Sequence, residues 1–289
     1  MPGAPGRLFL IRTAAIVAAS RRFLTLNMID TDNFSAELKT ALQAASVAAE
    51  ISRSYFKGNF TVTIKEDLTP VTQADVECEQ AIRKVILDAF PDHGFFGEET
   101  GKTAADAENL WLVDPIDGTK GFVRQYPFFS TQIALMRKGE LVLGVSNGTM
   151  FDELAFAERG QGAWLNGKKL AVSDIARPER AAISTGNLKS LAASDGWSRL
   201  GELVAVADRI RGYGDFYHYH LLASGKIEAV IESDVNILDI AALAVIVAEA
   251  GGTFTDLNGN RPNLETRSVL AANPKLHSEL LEKFAGFVD

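Results

Sequence analysis

From residue 33 to about 56 the chain runs through Ala, Leu and Glu without Gly or Pro, and Phe34, Leu38, Leu42, Ala45 and Ala49 recur every three or four residues. That period puts them on one stripe of a helix, which Gly58 ends. Residues 61–64 alternate polar and apolar, as a short strand does. A second helix is predicted over 75–90: Cys78, Ile82, Val85, Ile86 and Ala89 share a face, and Pro91 closes it. On that face Cys78 reads as a small buried hydrophobe, not a reactive thiol. The apolar runs then shorten. Residues 110–113, 130–136, 141–145 and 154–157 read as strands parted by Lys138-Gly139 and Asn147-Gly148, an antiparallel meander, and Asn166-Gly167 marks another tight turn. Past Arg177-Pro178, strands at 181–184, 226–231 and 269–271 alternate with helices at 197–206, 215–223, 240–250 and 274–284. Gly225 and Gly251-Gly252 stop two of those helices, and Pro274 starts the last. The expectation is an α/β protein of two stacked lobes, residues 30–177 (α+β) and 178–289 (α/β), without internal repeats.

Residues 1–29 do not fit this pattern. They hold Arg7, Arg12, Arg21 and Arg22, two apolar runs and no acidic residue. The favoured reading is a disordered tail or an upstream start, with Met28 as the true start. An Arg-rich, acid-free organelle transit peptide is the alternative, and a secretory signal fits less well because Arg12 splits the apolar run.

Composition narrows the function classes. Of 289 residues, 47% are hydrophobic and 23% charged, an ordinary globular balance. One cysteine excludes an intramolecular disulfide framework and a Cys-rich zinc site. The net charge of −8 argues against general electrostatic binding of nucleic acid, and the overall field repels phosphates. A phosphate must therefore be met locally, by cations or by aimed backbone N–H groups. No apolar stretch is long enough for a membrane span. The expected location is the cytoplasm, with organelle import if residues 1–29 are a real transit peptide.

The candidate chemistry lies in carboxylates at element ends. Asp114-Pro115-Ile116-Asp117-Gly118-Thr119 follows an apolar strand directly. A turn through Pro115 can bring Asp114 and Asp117 to one point, where two carboxylates repel unless a cation sits between them. The backbone after Gly118 can aim N–H groups at an anion. A plain Asp-Gly turn, with Asp117 as a helix cap, is the simpler alternative. Gly97-Glu98-Glu99 ends a glycine-flanked segment in which Phe95 and Phe96 precede two carboxylates. It is either part of the same site or a solvated acidic turn. Asp239 heads a helix that is apolar up to Glu249, and it serves there as N-cap or as ligand.

These segments, with Thr69-Pro70-Val71-Thr72-Gln73-Ala74-Asp75, Trp111-Leu112-Val113 and Glu249-Ala250-Gly251-Gly252, resemble the signatures of the inositol monophosphatase family over residues 34–285. One departure is Leu238, where the family has Trp. The resemblance implies a layered αβαβα sandwich, a homodimer, lithium sensitivity and two to three Mg²⁺ ions. Glu98, Asp114 and the Ile116 carbonyl would hold one ion, and Asp114, Asp117 and Asp239 a second. A weaker third would use Glu98 and water. Thr119 with Asp75 would orient the attacking water, and the N–H groups of Gly118 and Thr119 would hold the phosphate. The expected substrate is then a small phosphorylated metabolite.

Gly214-Asp215-Phe216-Tyr217-His218-Tyr219 is similar to the histidinol-phosphatase branch, and Glu232 stands where the family has a substrate-contacting Glu. Asp215, Glu232 and Asp239 are thus the expected substrate contacts besides Gly118 and Thr119. Two acids near the leaving alcohol suit a cationic alcohol such as histidinol. The alternatives are inositol or sugar phosphates, then bisphosphorylated nucleotides. Asp215 could instead be a helix N-cap. His218 and His220 are expected to pack or to support other side chains, not to bind metal.

Overall fold

The structure is a computed structural model that describes residues 33–58, 61–64, 70–284 and 286. The extension 1–29, Lys65 and Thr69 lie outside those residues.

Helix α1 (Ala36–Phe56) starts where the Ser35 hydroxyl accepts the Leu38 N–H at 3.0 Å. A two-stranded ribbon, β1 (Val62–Ile64) and β2 (Pro70–Thr72), leads into α2 (Gln73–Ala89), which packs on α1. Cys78 is fully buried in that seam and its thiol donates to the Ala48 carbonyl, as the helical period predicts. Next come β3 (Gly94–Gly97), β4 (Gly101–Thr103), β5 (Asn109–Asp117), the short helix α3 (Thr119–Val123), β6 (Ser130–Arg137), β7 (Glu140–Gly148), β8 (Glu153–Glu158), β9 (Gly162–Leu165) and β10 (Lys168–Lys169). These strands make one sheet in the order β10-β9-β8-β7-β6-β5-β3-β4; β5 to β8 form the predicted meander, which β9 and β10 continue. Asn166 and Gly167, at φ 48° and 80°, turn β9 into β10.

A second sheet follows in the order β12-β11-β13-β15-β14, from β11 (Ala182–Thr185), β12 (Arg209–Arg211), β13 (Ala229–Glu232), β14 (Thr253–Thr255) and β15 (Val269–Ala272). Between its strands run α4 (Lys189–Ala192), α5 (Gly196–Val206), α6 (Asp215–Ala223) and α7 (Ile237–Glu249), and α8 (Pro274–Phe284) ends the series.

Three buried clusters mark the spaces between layers. α1 and α2 cover one face of the large sheet through Leu38, Ile82, Trp111 and Val145. α6 and α7 fill the space between the sheets. α5 and α8 cover the outer face of the small sheet with Leu203, Leu276, Leu280 and Phe284. The architecture is the αβαβα sandwich. Covered on both sides, α7 needs no polar face, and residues 240–247 are all buried.

Two helices begin earlier than their apolar periods suggest. α2 starts at Gln73 under a Thr72 cap, and α7 at Ile237 under an Asn236 cap. Strand β13 starts later than expected, at Ala229. The sequence reading did not include β2, β3, β4, β9, β10, β12, β14, α3 or α4, each of five residues or fewer and too short to show a period.

The sheet and α7 touch backbone to backbone. A Cβ on Gly144 of β7 would lie 2.3 Å from the Ala242 carbonyl oxygen. Gly144→Ala should therefore cost about 1–3 kcal/mol by overpacking. A chemical-denaturation midpoint equal to wild type would contradict this contact.

Candidate active site

Asp114 and Asp117 meet because β5 is bulged. In register, Asp114 faces Gln132 and Asp117 faces Ser130, so three steps on β5 match two on β6. In a regular strand, residues three apart point to opposite faces. The extra residue turns them to one side, and the Thr131 hydroxyl holds the bulge by donating to the Pro115 carbonyl at 2.9 Å. The Ile116 N–H in turn donates to Asp114 Oδ1 at 2.9 Å.

Asp239 joins them from α7. It is not the N-cap: that residue is Asn236, and Asp239 stands three positions on, closing a capping box through its Oδ2 on the Asn236 N–H at 3.2 Å. One carboxylate oxygen from each of Asp114, Asp117 and Asp239 lies within 4.8 Å of the others. No Lys or Arg pairs with any of the three among the described residues. Burial, then the charges of Glu98 and Asp117, push Asp114 well above the usual carboxylate range. Burial and the charges of Asp239 and Asp215 do the same to Asp117. Asp239 is pushed up to about 7, mainly by burial. A cluster of hard anionic oxygens, Asp114 buried and Asp117 and Asp239 half-buried, with no Lys or Arg partner is the donor set a small divalent cation takes.

This cluster predicts an inverted pH dependence. Between the unfolded pKa of 3.8 and about 7 for Asp239, the cation-free native state binds more protons than the unfolded state. Its stability therefore falls as pH rises through that window. The melting temperature in chelator should drop from pH 5 to pH 7.5, and excess Mg²⁺ should remove the drop. A chelated protein that gains stability toward pH 7.5 would refute the uncompensated cluster.

The neighbouring segments are built by specific contacts. The Glu98 N–H donates to the Val113 carbonyl at 3.2 Å, which sets the residue beside Asp114. Its turn is held from below by Glu79, fully buried, whose carboxylate accepts the N–H groups of Glu99 and Thr100 at 2.8 and 2.9 Å. Gly97 is needed there because a Cβ would fall 2.4 Å from that carboxylate. Glu98 raises the pKa of Asp114 and Asp239 through its charge but is not one of the three clustered carboxylates. Gly118 caps α3 at φ 92°, and a Cβ there would lie 2.6 Å from the Phe128 carbonyl oxygen. The Thr119 hydroxyl lies 3.2 Å from Asp75 Oδ1 and 3.1 Å from the Ile116 carbonyl. Asp75 is fully buried and also completes the capping box of α2, its Oδ2 accepting the Thr72 N–H at 2.7 Å. Burial leads in raising its pKa.

Beside the carboxylates opens a pocket of about 260 Å³, whose lining includes Asp117, Asp239, Asp215, Glu232, Asn187 and Tyr219. Asp215 is not an N-cap. Gly214 is, and Asp215 opens α6 at φ 46°, a left-handed conformation that non-glycine residues adopt at a cost. It is solvent-exposed on one side, yet burial on the other and the charge of Glu232 push it up to about 6, with His218 opposing.

Glu232, expected as a substrate contact, lines the same pocket and is hydrogen-bonded to its neighbours. Its Oε2 accepts the Tyr219 hydroxyl at 2.6 Å and lies 3.1 Å from His218 Nε2, and its Oε1 accepts the Asn187 N–H. Burial raises its pKa, but His218 and those hydrogen bonds outweigh it, and the net shift is downward. His218 also meets the Ser184 hydroxyl at Nδ1, 3.2 Å away. The two histidines of α6 are thus hydrogen-bonded to side chains, and neither belongs to the carboxylate cluster.

The sequence profile of the inositol monophosphatase family matches residues 35–287. The chain belongs to that family. It is 35% identical over 246 residues to a histidinol-phosphatase of Chlorobaculum parvum, covering 85% of this chain and 95% of the relative. It is 34% identical over 222 residues to an inositol-1-monophosphatase of Caulobacter vibrioides, covering 74% of this chain and 86% of the relative. The crystal structure of the extragenic suppressor protein suhB from Bartonella henselae superposes with a TM-score of 0.81 at 31% identity, covering 88% of this chain and all of that one. A member of the inositol monophosphatase family is a phosphatase by kinship, and the named relatives differ in the ester they cleave. Where the family's Trp precedes the α7 carboxylate, this member has Leu238, 2% exposed in the core between the sheets.

Proposed function

We propose that this family member is a Mg²⁺-dependent phosphomonoesterase whose preferred substrate is histidinol phosphate. The supporting observation is one pocket lined both by Asp117 and Asp239 of the carboxylate cluster and by the ionisable, left-handed Asp215. The donor set fits Mg²⁺: Asp114, Asp117 and Asp239, with Glu98 and the Ile116 carbonyl alongside, are all hard oxygens. Bound there, Mg²⁺ would neutralise phosphoryl charge and make a bound water more acidic.

The chain supplies the rest. Asp75 holds the Thr119 hydroxyl, and Thr119 orients the attacking water. The N–H groups of Gly118 and Thr119, at the left-handed start of α3, are proposed to hold the phosphate. Asp215 takes the leaving alcohol by pairing with its ammonium group. Glu232 serves as a buried wall of the pocket, its oxygens committed to His218, Tyr219 and Asn187. No helix among the described residues is long and apolar enough to cross a membrane. The test is phosphate release with Mg²⁺ from histidinol phosphate, inositol monophosphate and glycerol 2-phosphate. A preference for inositol monophosphate moves the assignment to that ester.

A further inference from the structure

A chain of buried polar side chains crosses the large sheet and ends on Asp117. Ser130 and Gln132 lie two apart on β6 and so share a face; Ser130 pairs in register with Asp117, and Gln132 with Ser146 of β7. The Ser130 hydroxyl donates to Asp117 Oδ2 at 3.2 Å. Gln132 Nε2 spends its two hydrogens on Ser130 Oγ at 2.7 Å and Ser146 Oγ at 3.1 Å. Ser146 Oγ lies 2.9 Å from His220 Nε2, and His220 Nδ1 lies 2.8 Å from Glu153 Oε2 at the start of β8. Ser130, Gln132 and Ser146 are fully buried and His220 is 1% exposed, while Glu153 reaches the half-exposed rim.

With a neutral His220 imidazole, one arrangement of hydrogens serves every bond. Gln132 is a double donor, so Ser130 is free to donate to Asp117, and Ser146 to donate to His220 Nε2. A bare Nε2 places the imidazole hydrogen on Nδ1, where Glu153 accepts it. The pKa of His220 is lowered, by burial first against the opposing pull of Glu153, which agrees with the neutral ring. The cost is visible: Gln132 Oε1 is buried without a partner. Turning the amide over would give Oε1 both serine hydrogens and leave Asp117 Oδ2 facing an oxygen with no hydrogen between them. The unpaired oxygen is accepted so that Asp117 keeps its donor.

We infer that Ser130, Gln132, Ser146, His220 and Glu153 are positioning residues that fix the hydrogen order behind Asp117, reserving Oδ2 for Ser130 and aiming Oδ1 at the cation. This rests on the reading of Asp117 as a metal ligand. Partners of this kind are worth about 10–100-fold in metal affinity.

The test is Mg²⁺ binding by isothermal titration calorimetry, with no substrate present. Ser130→Ala and His220→Phe should each weaken the tightest Mg²⁺ site by about 10-fold or more. The double variant should be little weaker than either, because both cut one chain. His220→Gln, which can still accept from Ser146, should stay near wild type. If His220→Phe does not fold, Glu153→Ala at the rim takes its place, alone and with Ser130→Ala, with the same non-additivity expected. Unchanged affinity in a folded His220→Phe or Glu153→Ala protein, or multiplicative losses in the double variant, overturns the inference while the metal reading stands. Failure of the wild type to bind Mg²⁺ overturns the metal reading itself.

Discussion

Asp117→Asn should lower kcat by about 10²-fold or more at saturating Mg²⁺ while the protein stays folded. The change removes one anionic ligand and keeps the side-chain volume. Its amide oxygen can still accept from Ser130, which now donates to Oδ2 at 3.2 Å. In the cation-free state the variant should even melt higher than wild type. The native cluster raises the pKa values of Asp114 and Asp117 through burial and mutual repulsion, and removing one charge relieves part of that. Lower activity with higher cation-free stability is a pair of results that damage to the fold cannot produce. Steady-state rates and thermal melts in chelator check both. Full activity in Asp117→Asn, or in wild type with excess chelator, removes the metal from the mechanism.

Wild type should prefer histidinol phosphate over inositol monophosphate by at least about tenfold in kcat/KM, the ratio that roughly 1.4 kcal/mol of extra stabilisation supplies. An ammonium paired with a partly desolvated carboxylate gains about 1.5–3 kcal/mol, more than a single hydroxyl contact. Asp215 is the acid of this pocket proposed to pair with the ammonium, while Glu232 beside it holds His218 and Tyr219. Asp215→Asn should therefore shrink the preference while leaving glycerol 2-phosphate hydrolysis within about threefold. A pH signature separates charge from shape. With its pKa at about 6, Asp215 is ionised at pH 7.5 and loses its charge below pH 6. Wild-type kcat/KM for histidinol phosphate should fall through that range relative to glycerol 2-phosphate, and the ratio should be flat in Asp215→Asn. Equal harm to all three substrates would make Asp215 a structural residue holding the start of α6.

The site was legible where chemistry is local. Asp114 and Asp117 stand three apart at the end of an apolar strand and Asp239 near the start of an apolar helix, while Glu98 and Thr119 were marked by the family resemblance of their short segments. Two boundaries were missed although signals existed. Thr72 with Asp75, and Asn236 with Asp239, are each a capping residue followed three positions later by an acid. Those pairs mark helix starts ahead of the first apolar repeat, and they give Asp75 and Asp239 a second, structural task.

Glu79 under the Gly97 turn has no such signal, because its partners are 20 and 21 residues away. Neither has the pairing of Glu232 with His218, Tyr219 and Asn187, nor the line from Glu153 to Asp117. Those depend on register, on a bulge of one residue, and on which helix lies over which strand.

The sequence by itself determined the periodic elements: α1 nearly in full, α6 and α8 to the residue, the meander, and the acids available for a cation. Periodicity and residue type act over one or two turns of chain, so they can be read from the chain. The tertiary structure alone decided which acids cluster, which are already paired, and which line the pocket. Charges and hydrogen bonds act over a few ångströms of space, and that distance is set by how the five layers stack.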